Sequence, residues 1–279
     1  MHPVGNYHFQ VGSLQCTVLS DGSEIAPADS VVRGVPLDQW RQALQEHGLS
    51  TTETAIYFNN LFIQGRGQRV LVDAGWGQGT QRRDGDLLAH LLAEGISPQD
   101  IDTLILTHGD VDHVGGLTTP DNRLVFPNAR YILLKEAWDF WSNGPLLAKW
   151  PPFLTAFGRT AFPIIRDRIQ VVEAGEEFIP GFQLFLAPGH RPGHAYVKMA
   201  SAGETLFHAA DTVGHPILME HPAWHWYADA ADELAQKDKA QVLSLAYGAH
   251  ALVFGPHLPF PGVGRVAPLG DGWIWQPER

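Results

Sequence analysis

Thr107-His108-Gly109-Asp110-Val111-Asp112-His113-Val114-Gly115-Gly116 is the stretch whose reading decides how this chain folds. His108, Asp110, Asp112 and His113 are all able to bind metal and follow one another closely. The preceding Thr103-Leu104-Ile105-Leu106 is apolar and rich in strand formers, the composition of a buried strand. Gly115-Gly116 predicts a tight backbone turn. The motif therefore belongs on a loop at a strand end, where a rigid scaffold aims several side chains at one point. On a compact loop the spacing can turn His108 and Asp110 towards one ion, and Asp112 and His113 towards a neighbour. Nitrogen and carboxylate donors suit zinc, and also iron or manganese. The competing reading is a solvated polar turn with incidental histidines, because short motifs produce false matches.

Working outward, the chain on each side alternates strands and helices. Residues 14–19 read as an early strand closed by the turn Ser20-Asp21-Gly22. Residues 25–55 form an excursion from the sheet, with a helix at 37–47 that places Leu37, Trp40 and Leu44 on one face. That helix reads as a surface element, a flap over a pocket, or an oligomer contact. Strands follow at 55–63 and 69–72, the second running into Asp73-Ala74-Gly75-Trp76-Gly77. Asp73, at a strand end, either orients a ligand histidine or caps its own turn. An amphipathic helix at 86–94 and a capping box at Ser97-Pro98-Gln99-Asp100 lead into the strand before the motif. Beyond it come a strand at 130–134 and a helical start at 135–141. Residues 143–162, rich in proline and aromatics such as Trp150 and Phe157, read as an irregular second excursion whose aromatics form an interaction surface, a pocket wall or core. Strands at 169–172, 182–187, 196–200, 204–208 and 251–254, with a long helix at 229–247, complete a layered α/β pattern.

Composition narrows the function. The chain has 279 residues and a formal net charge of -11, with no cluster of Lys and Arg, which argues against a nucleic-acid partner. Its 14 histidines suit metal chemistry. Cys16 is the single cysteine, so neither an internal disulfide nor a cysteine-based metal site forms, and a reducing cytoplasm is the expected compartment. Met1-His2-Pro3-Val4-Gly5-Asn6 lacks the pattern of a signal peptide, and no apolar run approaches a membrane span.

Three further residues share the motif's context at or after a strand end: His190 in Pro188-Gly189-His190, Asp211 after Phe207-His208-Ala209-Ala210, and His257 after Gly255-Pro256. Each alone is weak. Jointly with the motif they supply enough donors for two ions sharing a carboxylate.

Taken together, Asp73-Ala74-Gly75, the His108 to His113 motif with Gly115-Gly116, Pro188-Gly189-His190, Asp211 and His257 resemble the metallo-β-lactamase superfamily, in the right order from about residue 14 to the His257 loop. His257-Leu258-Pro259-Phe260-Pro261-Gly262 and Glu220-His221-Pro222-Ala223-Trp224 look most like the methyl parathion hydrolase branch, which is related to the N-acyl homoserine lactonases. The resemblance implies a single domain over residues 1–279 with an αββα sandwich fold and two divalent metal ions at one edge. His108, Asp110 and His190 would hold one ion and Asp112, His113 and His257 the other, with Asp211 bridging. It also implies a bridging water or hydroxide that Asp112 helps orient, and Asp73 as a support behind a ligand.

Most family members have histidine where this chain has Asp110. Zinc is the expected metal. The hard oxygen donor admits iron or manganese, and the added negative charge is expected to leave the bridging water less acidic. The implied activity is metal-dependent hydrolysis of a lactone, ester or phosphoester. The alternatives are an iron-dependent redox member, disfavoured by the lack of a flavodoxin-like domain, and a non-catalytic metal-binding or regulatory protein. Trp76, Phe153, Trp224, Trp226 and Phe260 either line an apolar pocket for a small uncharged substrate or pack in the core. His194, His208, His215, His221 and His225 remain without an assigned role. The expected partner is a small molecule rather than nucleic acid or membrane, and a homodimer is compatible with the chain.

Overall fold

The structure is a computed structural model and describes residues 5–79 and 84–278. Residues Met1 to Val4, part of the stretch read for a signal peptide, lie outside them. The strands in chain order are β1 (Asn6–Val11), β2 (Leu14–Pro27), β3 (Val32–Arg33), β4 (Glu53–Gly65), β5 (Gln68–Val72), β6 (Thr103–Leu106), β7 (Arg130–Leu134) and β8 (Ile169–Val172). They continue with β9 (Glu177–Ile179), β10 (Phe182–Leu186), β11 (Ala195–Ser201), β12 (Glu204–His208), β13 (His225–Trp226), β14 (Leu252–Phe254), β15 (Val263–Leu269) and β16 (Gly272–Pro277). The helices are α1 (Leu37–Glu46), α2 (Leu87–Ala93), α3 (Val111–Val114), α4 (Lys135–Trp141), α5 (Gly144–Leu147), α6 (Pro152–Ile165), α7 (Ile217–Glu220) and α8 (Asp232–Gly248).

Two seven-stranded sheets, in the orders β1-β2-β4-β5-β6-β7-β8 and β16-β15-β14-β12-β11-β10-β9, face each other. One core joins them: Val18, Leu61, Leu104 and Ile132 of the first sheet pack with Leu184, Val197, Met199 and Leu206 of the second. Burying each such aliphatic side chain contributes about 1.5–3 kcal/mol. Helices cover the outer faces. Val242, Leu243 and Ala246 of α8 lie on Phe207, Val253 and Val266 behind the second sheet, and α2 and α4 pack against β2 and β7 of the first. This is the αββα sandwich expected from the sequence.

Strand direction positions the site. β5, β6, β7 and β8 run parallel, as do β12 and β14. β10 has the same direction as β12, because each is antiparallel to β11. The C-terminal ends of β5, β6, β10, β12 and β14 therefore open at one edge, and the loops after them carry Asp73, the 108–113 motif, His190, Asp211 and His257. In open parallel sheets, ligands bind outside these carboxyl ends.

Three sequence expectations change. Residues 143–162 are not irregular but helical, in α5 and most of α6. Pro152 stands in the first turn of α6, where its missing N–H has no intrahelical partner to lose, and Pro163 falls in the last turn. The excursion after β2 is narrower than 25–55, because β2 runs to Pro27 and β4 starts at Glu53. Its helix α1 is no flap. Trp40 is fully buried, donates its indole N–H to Ala28 O at 2.8 Å, and packs in a cluster with Phe58, Trp76, Ile217 and Trp226. Finally, Gly115-Gly116 serves close approach rather than a turn. A Cβ on Gly115 would lie 2.1 Å from Trp76 O, and one on Gly116 2.0 Å from Ala74 O. The loop after β5 is thereby pressed onto the motif, joined by Ala74 N–H to His113 O at 2.7 Å.

Candidate metal centre

The donor atoms converge in three overlapping groups: His108, Asp110 and His190; His108, His113 and Asp211; and Asp112, His113 and His257. Within each group the atoms lie within 4.8 Å of one another. The structure thus brings together all seven residues that the family resemblance proposes as ligands.

Which nitrogen faces inward follows from the other nitrogen of each ring. His113 Nδ1 lies 2.7 Å from Asp73 Oδ2, His190 Nδ1 3.1 Å from Asp229 Oδ1, and His257 Nδ1 2.8 Å from Tyr57 O. Carboxylates and carbonyls only accept, so each Nδ1 carries a proton and donates. His108 Nδ1 lies 3.0 Å from Thr107 Oγ1, whose own proton goes to Asp73 Oδ2 at 2.8 Å, so this Nδ1 donates as well. Every Nε2 is thereby turned to the centre, where the neutral ring offers a lone pair to a metal ion, and in the metal-free chain His257 Nε2 donates to Asp211 Oδ2 at 3.1 Å. His108, His113 and His190 Nε2 and Asp211 Oδ1 are buried without any hydrogen bond. Asp211 Oδ1 nevertheless lies 3.2 Å from His113 Nε2, and Asp211 Oδ2 3.2 Å from His190 Nε2. Imidazole nitrogens and carboxylate oxygens packed at that distance, out of water, call for positive charge between them, as protons or as metal cations, so the donor set fits divalent ions.

The electrostatics of the chain by itself agree. Burial acts to lower the pKa of His113, His190 and His257, yet Asp211 and the neighbouring carboxylates push all three up, His190 to about 9. Burial, followed by the charge of His113, takes His108 well below the usual range. Burial acts to raise Asp211, but His257, His113, His190 and His108 hold it far down. Asp112 is likewise lowered against its burial by His113 and His257. A field that draws protons onto imidazoles also draws metal cations.

Local structure explains the aim. Asp110 precedes α3, and its carbonyl accepts from the N–H groups of His113 and Val114, both at 3.0 Å, which turns Asp110 and Asp112 to the same mouth. Asp73 adopts a left-handed backbone conformation, φ 61°, that aspartate tolerates better than most residues. His194 is positional. Its Nδ1 donates to Ala187 O at 2.8 Å, and its Nε2 accepts the backbone N–H of Asp211 at 3.0 Å. Burial drives it down to about 3, so it stays neutral. His208 and His215 similarly accept the backbone N–H groups of Ala210 and Ile217.

A cavity of about 680 Å³ opens on the centre. Asp110, Asp112, His190, Asp211 and His257 form its floor, and Ile56, Phe58, Trp76, Leu154, Phe157 and Trp226 its apolar walls. Of the proposed pocket aromatics, Trp76 and Trp226 line it. Trp224 does not. It stacks on His221, ring centres 3.8 Å apart, and packs against Trp40. Phe260 packs against the main core instead. The side chain of Phe153 lies outside the described set. Sequence reading missed Phe58, which reads as an ordinary strand residue, whereas Phe157 belongs to the aromatic patch read as pocket wall, interaction surface or core, and it lines the cavity. It also missed Arg191, whose Nη2 lies 2.7 Å from Asp110 Oδ2 and whose Nε lies 3.0 Å from Asp110 Oδ1. Arg191 directly follows His190 in sequence, but nothing local says that it reaches a residue 81 positions away.

The sandwich and its strand-end donors define the class, and a family model agrees. The metallo-β-lactamase superfamily model matches residues 58–266, and the chain belongs to that superfamily, as a hydrolase with His and Asp clusters able to hold metal. Among solved structures it is similar to AidC, a dizinc quorum-quenching lactonase in complex with its product N-hexanoyl-L-homoserine. The identity is 26%, the TM-score 0.89, and the match covers 99% of this chain and 98% of that one. The fold is shared with AbOPH, a hydrolase of the β-lactamase superfamily, at 24% identity, TM-score 0.88, and coverage of 100% and 99%. It is shared too with a probable metal-dependent hydrolase from Staphylococcus aureus at 18% identity, TM-score 0.77, and coverage of 97% and 100%. No curated protein matches the chain. No helix among the described residues is long and apolar enough to cross a membrane.

Proposed function

We propose that residues 1–279 form one domain that acts as a dinuclear metal-dependent hydrolase on a neutral lactone or ester with an apolar arm. One observation carries this reading: four imidazole Nε2 atoms and three carboxylates converge beside a largely apolar cavity. His108, Asp110 and His190 would hold one ion, Asp112, His113 and His257 the other, and Asp211 would contact both. Zinc fits the imidazole-rich set, and AidC is a dizinc enzyme. Ions bound there supply a water acidified towards neutral pH and a Lewis acid for the substrate oxygen.

The chain's own residues do the rest. Asp112, at the cavity floor, would orient the attacking water through the carboxylate oxygen not turned to His113 and His257. Asp73 and Asp229 lock the ring orientation of His113 and His190 by accepting from Nδ1. Phe58, Trp76, Phe157 and Trp226 exclude water and take up the apolar arm. The acyl-homoserine product in AidC supports a lactone, and the phosphoester remains the comparison substrate.

Elemental analysis of the purified protein, then a panel of lactones, aryl esters and phosphotriesters on the same sample, tests the reading. Two equivalents of zinc and chelator-sensitive lactone turnover are expected. Turnover that survives complete metal removal, or a protein without metal after zinc loading, overturns it.

A further inference from the structure

The mouth of the first triad holds a charged pair that the family's usual histidine would not need. Both oxygens of Asp110 face the guanidinium of Arg191, with Oδ1 3.0 Å from Nε and Oδ2 2.7 Å from Nη2. The same Oδ2 lies 3.8 Å from His108 Nε2 and 3.6 Å from His190 Nε2. The guanidinium is itself fixed. Its Nη1 donates to His190 O at 2.8 Å and to Ala228 O, and the residue is 7% exposed. We propose that Arg191 is a positioning residue, which grips Asp110 from behind and holds one carboxylate oxygen over His108 and His190 for the first ion. This rests on the two-ion reading above.

Two physical arguments support it. A carboxylate is shorter than an imidazole and turns freely about its side-chain bonds, so it needs an external grip to stay aimed. The planar fork of arginine gives that grip through two parallel hydrogen bonds, which the point charge of lysine does not. The second argument is charge. Asp110, Asp112 and Asp211 place three carboxylates around the centre, and Arg191 cancels one of them. The centre then has the negative charge of a version with histidine at 110. This removes the basis for expecting a less acidic water from Asp110 alone. It also means that Asp110→His in this chain leaves a buried guanidinium without its partner, beside a cation.

The test is zinc affinity at each of the two sites, measured on the full chain by competition with a chromogenic chelator. The proteins compared are wild type, R191Q, R191K, D110H and D110H/R191Q, with the melting of each metal-free variant as a check on folding. R191Q is expected to weaken one site by about 10–100-fold, the range for residues that orient ligands, and to leave the other within about 3-fold. R191K is expected to fall between R191Q and wild type. D110H alone should weaken the same site, and D110H/R191Q should regain most of the loss. R191Q with both sites intact overturns the proposal, including the case where only KM changes, which would make Arg191 a substrate contact. So does a D110H/R191Q variant no better than D110H. If R191Q does not fold, D110H and R191K decide: unchanged affinity at both sites in both variants overturns it. Wild type that takes only one equivalent overturns the two-ion reading and this assignment together, whereas two equivalents in both wild type and R191Q overturn this assignment alone.

Discussion

The two triads of the centre are built alike in their histidines and differently in their carboxylates. Each has one imidazole backed by a carboxylate (His190 by Asp229, His113 by Asp73) and one backed by a neutral oxygen (His108 by Thr107, His257 by Tyr57). Asp112 lies against the histidines of its own triad, 3.5 Å from His113 Nε2 and 3.7 Å from His257 Nε2, and among the described residues it has no ion pair with a guanidinium. Asp110 faces its histidines and a guanidinium as well. The comparison teaches that a ligand substitution is not read from the ligand alone. An aspartate in a histidine's place keeps the reach and charge of the site only if the surroundings supply what the imidazole had supplied.

The largest effect should come from the residue that both triads share. Asp211→Ala is expected to release both ions and to reduce turnover by about 10³-fold or more, since polarisation by metal is worth several kcal/mol. Two retained equivalents of metal would end the bridging assignment. A step smaller, His257→Ala and His190→Ala should each empty one triad and leave the other filled. Metal analysis then reads about one equivalent in either variant. If His257→Ala keeps normal metal content and turnover, the second triad is drawn wrongly.

Supports behind the ligands come next. Asp229→Asn should weaken zinc binding by about 10–100-fold at the first triad, and Asp73→Asn by a similar factor at the second, with a smaller loss at the first because Asp73 also holds Thr107 behind His108. Equal effects of Asp229→Asn on both sites would mean that the triads do not behave as separate units. The smallest effect belongs to the cavity wall. Trp226→Ala should raise KM for long-chain lactones by about 10-fold and leave metal content and kcat for short ones nearly unchanged. A uniform fall in kcat for every chain length would show that Trp226 supports the centre rather than the substrate, which its stacking over His257 makes worth checking.

Much of the fold could be read along the chain, because the relevant signals are local. The apolar Thr103-Leu104-Ile105-Leu106 forms β6, all four residues buried, and Ser97 and Asp100 form the capping box of the short helical turn Pro98–Asp100 before it. The strands at 130–134, 169–172 and 204–208 have the bounds expected. Where reading failed, the deciding contact was distant. The prolines around α6 looked like breakers until their places at its two ends were known. The closing hairpin of β15 and β16 is an exception: its two-residue loop Gly270-Asp271 is a local turn signal that the reading passed over.

The donor chemistry of the centre is written in the residue order alone. Residue type and spacing within one loop, and the recurrence of strand-end His and Asp, are local facts, and they carry the family resemblance with them. Which nitrogen of each histidine faces inward is settled by the folded chain, because it depends on acceptors such as Asp229 and Tyr57, far away along the sequence. The fold decided the cavity walls too, since burial in a core and exposure to a pocket draw on the same aromatic residues. It also decided the meaning of Asp110. The charge felt at a buried site is the sum over all that packs around it, and Arg191 reaches that site from the end of a different strand of the other sheet.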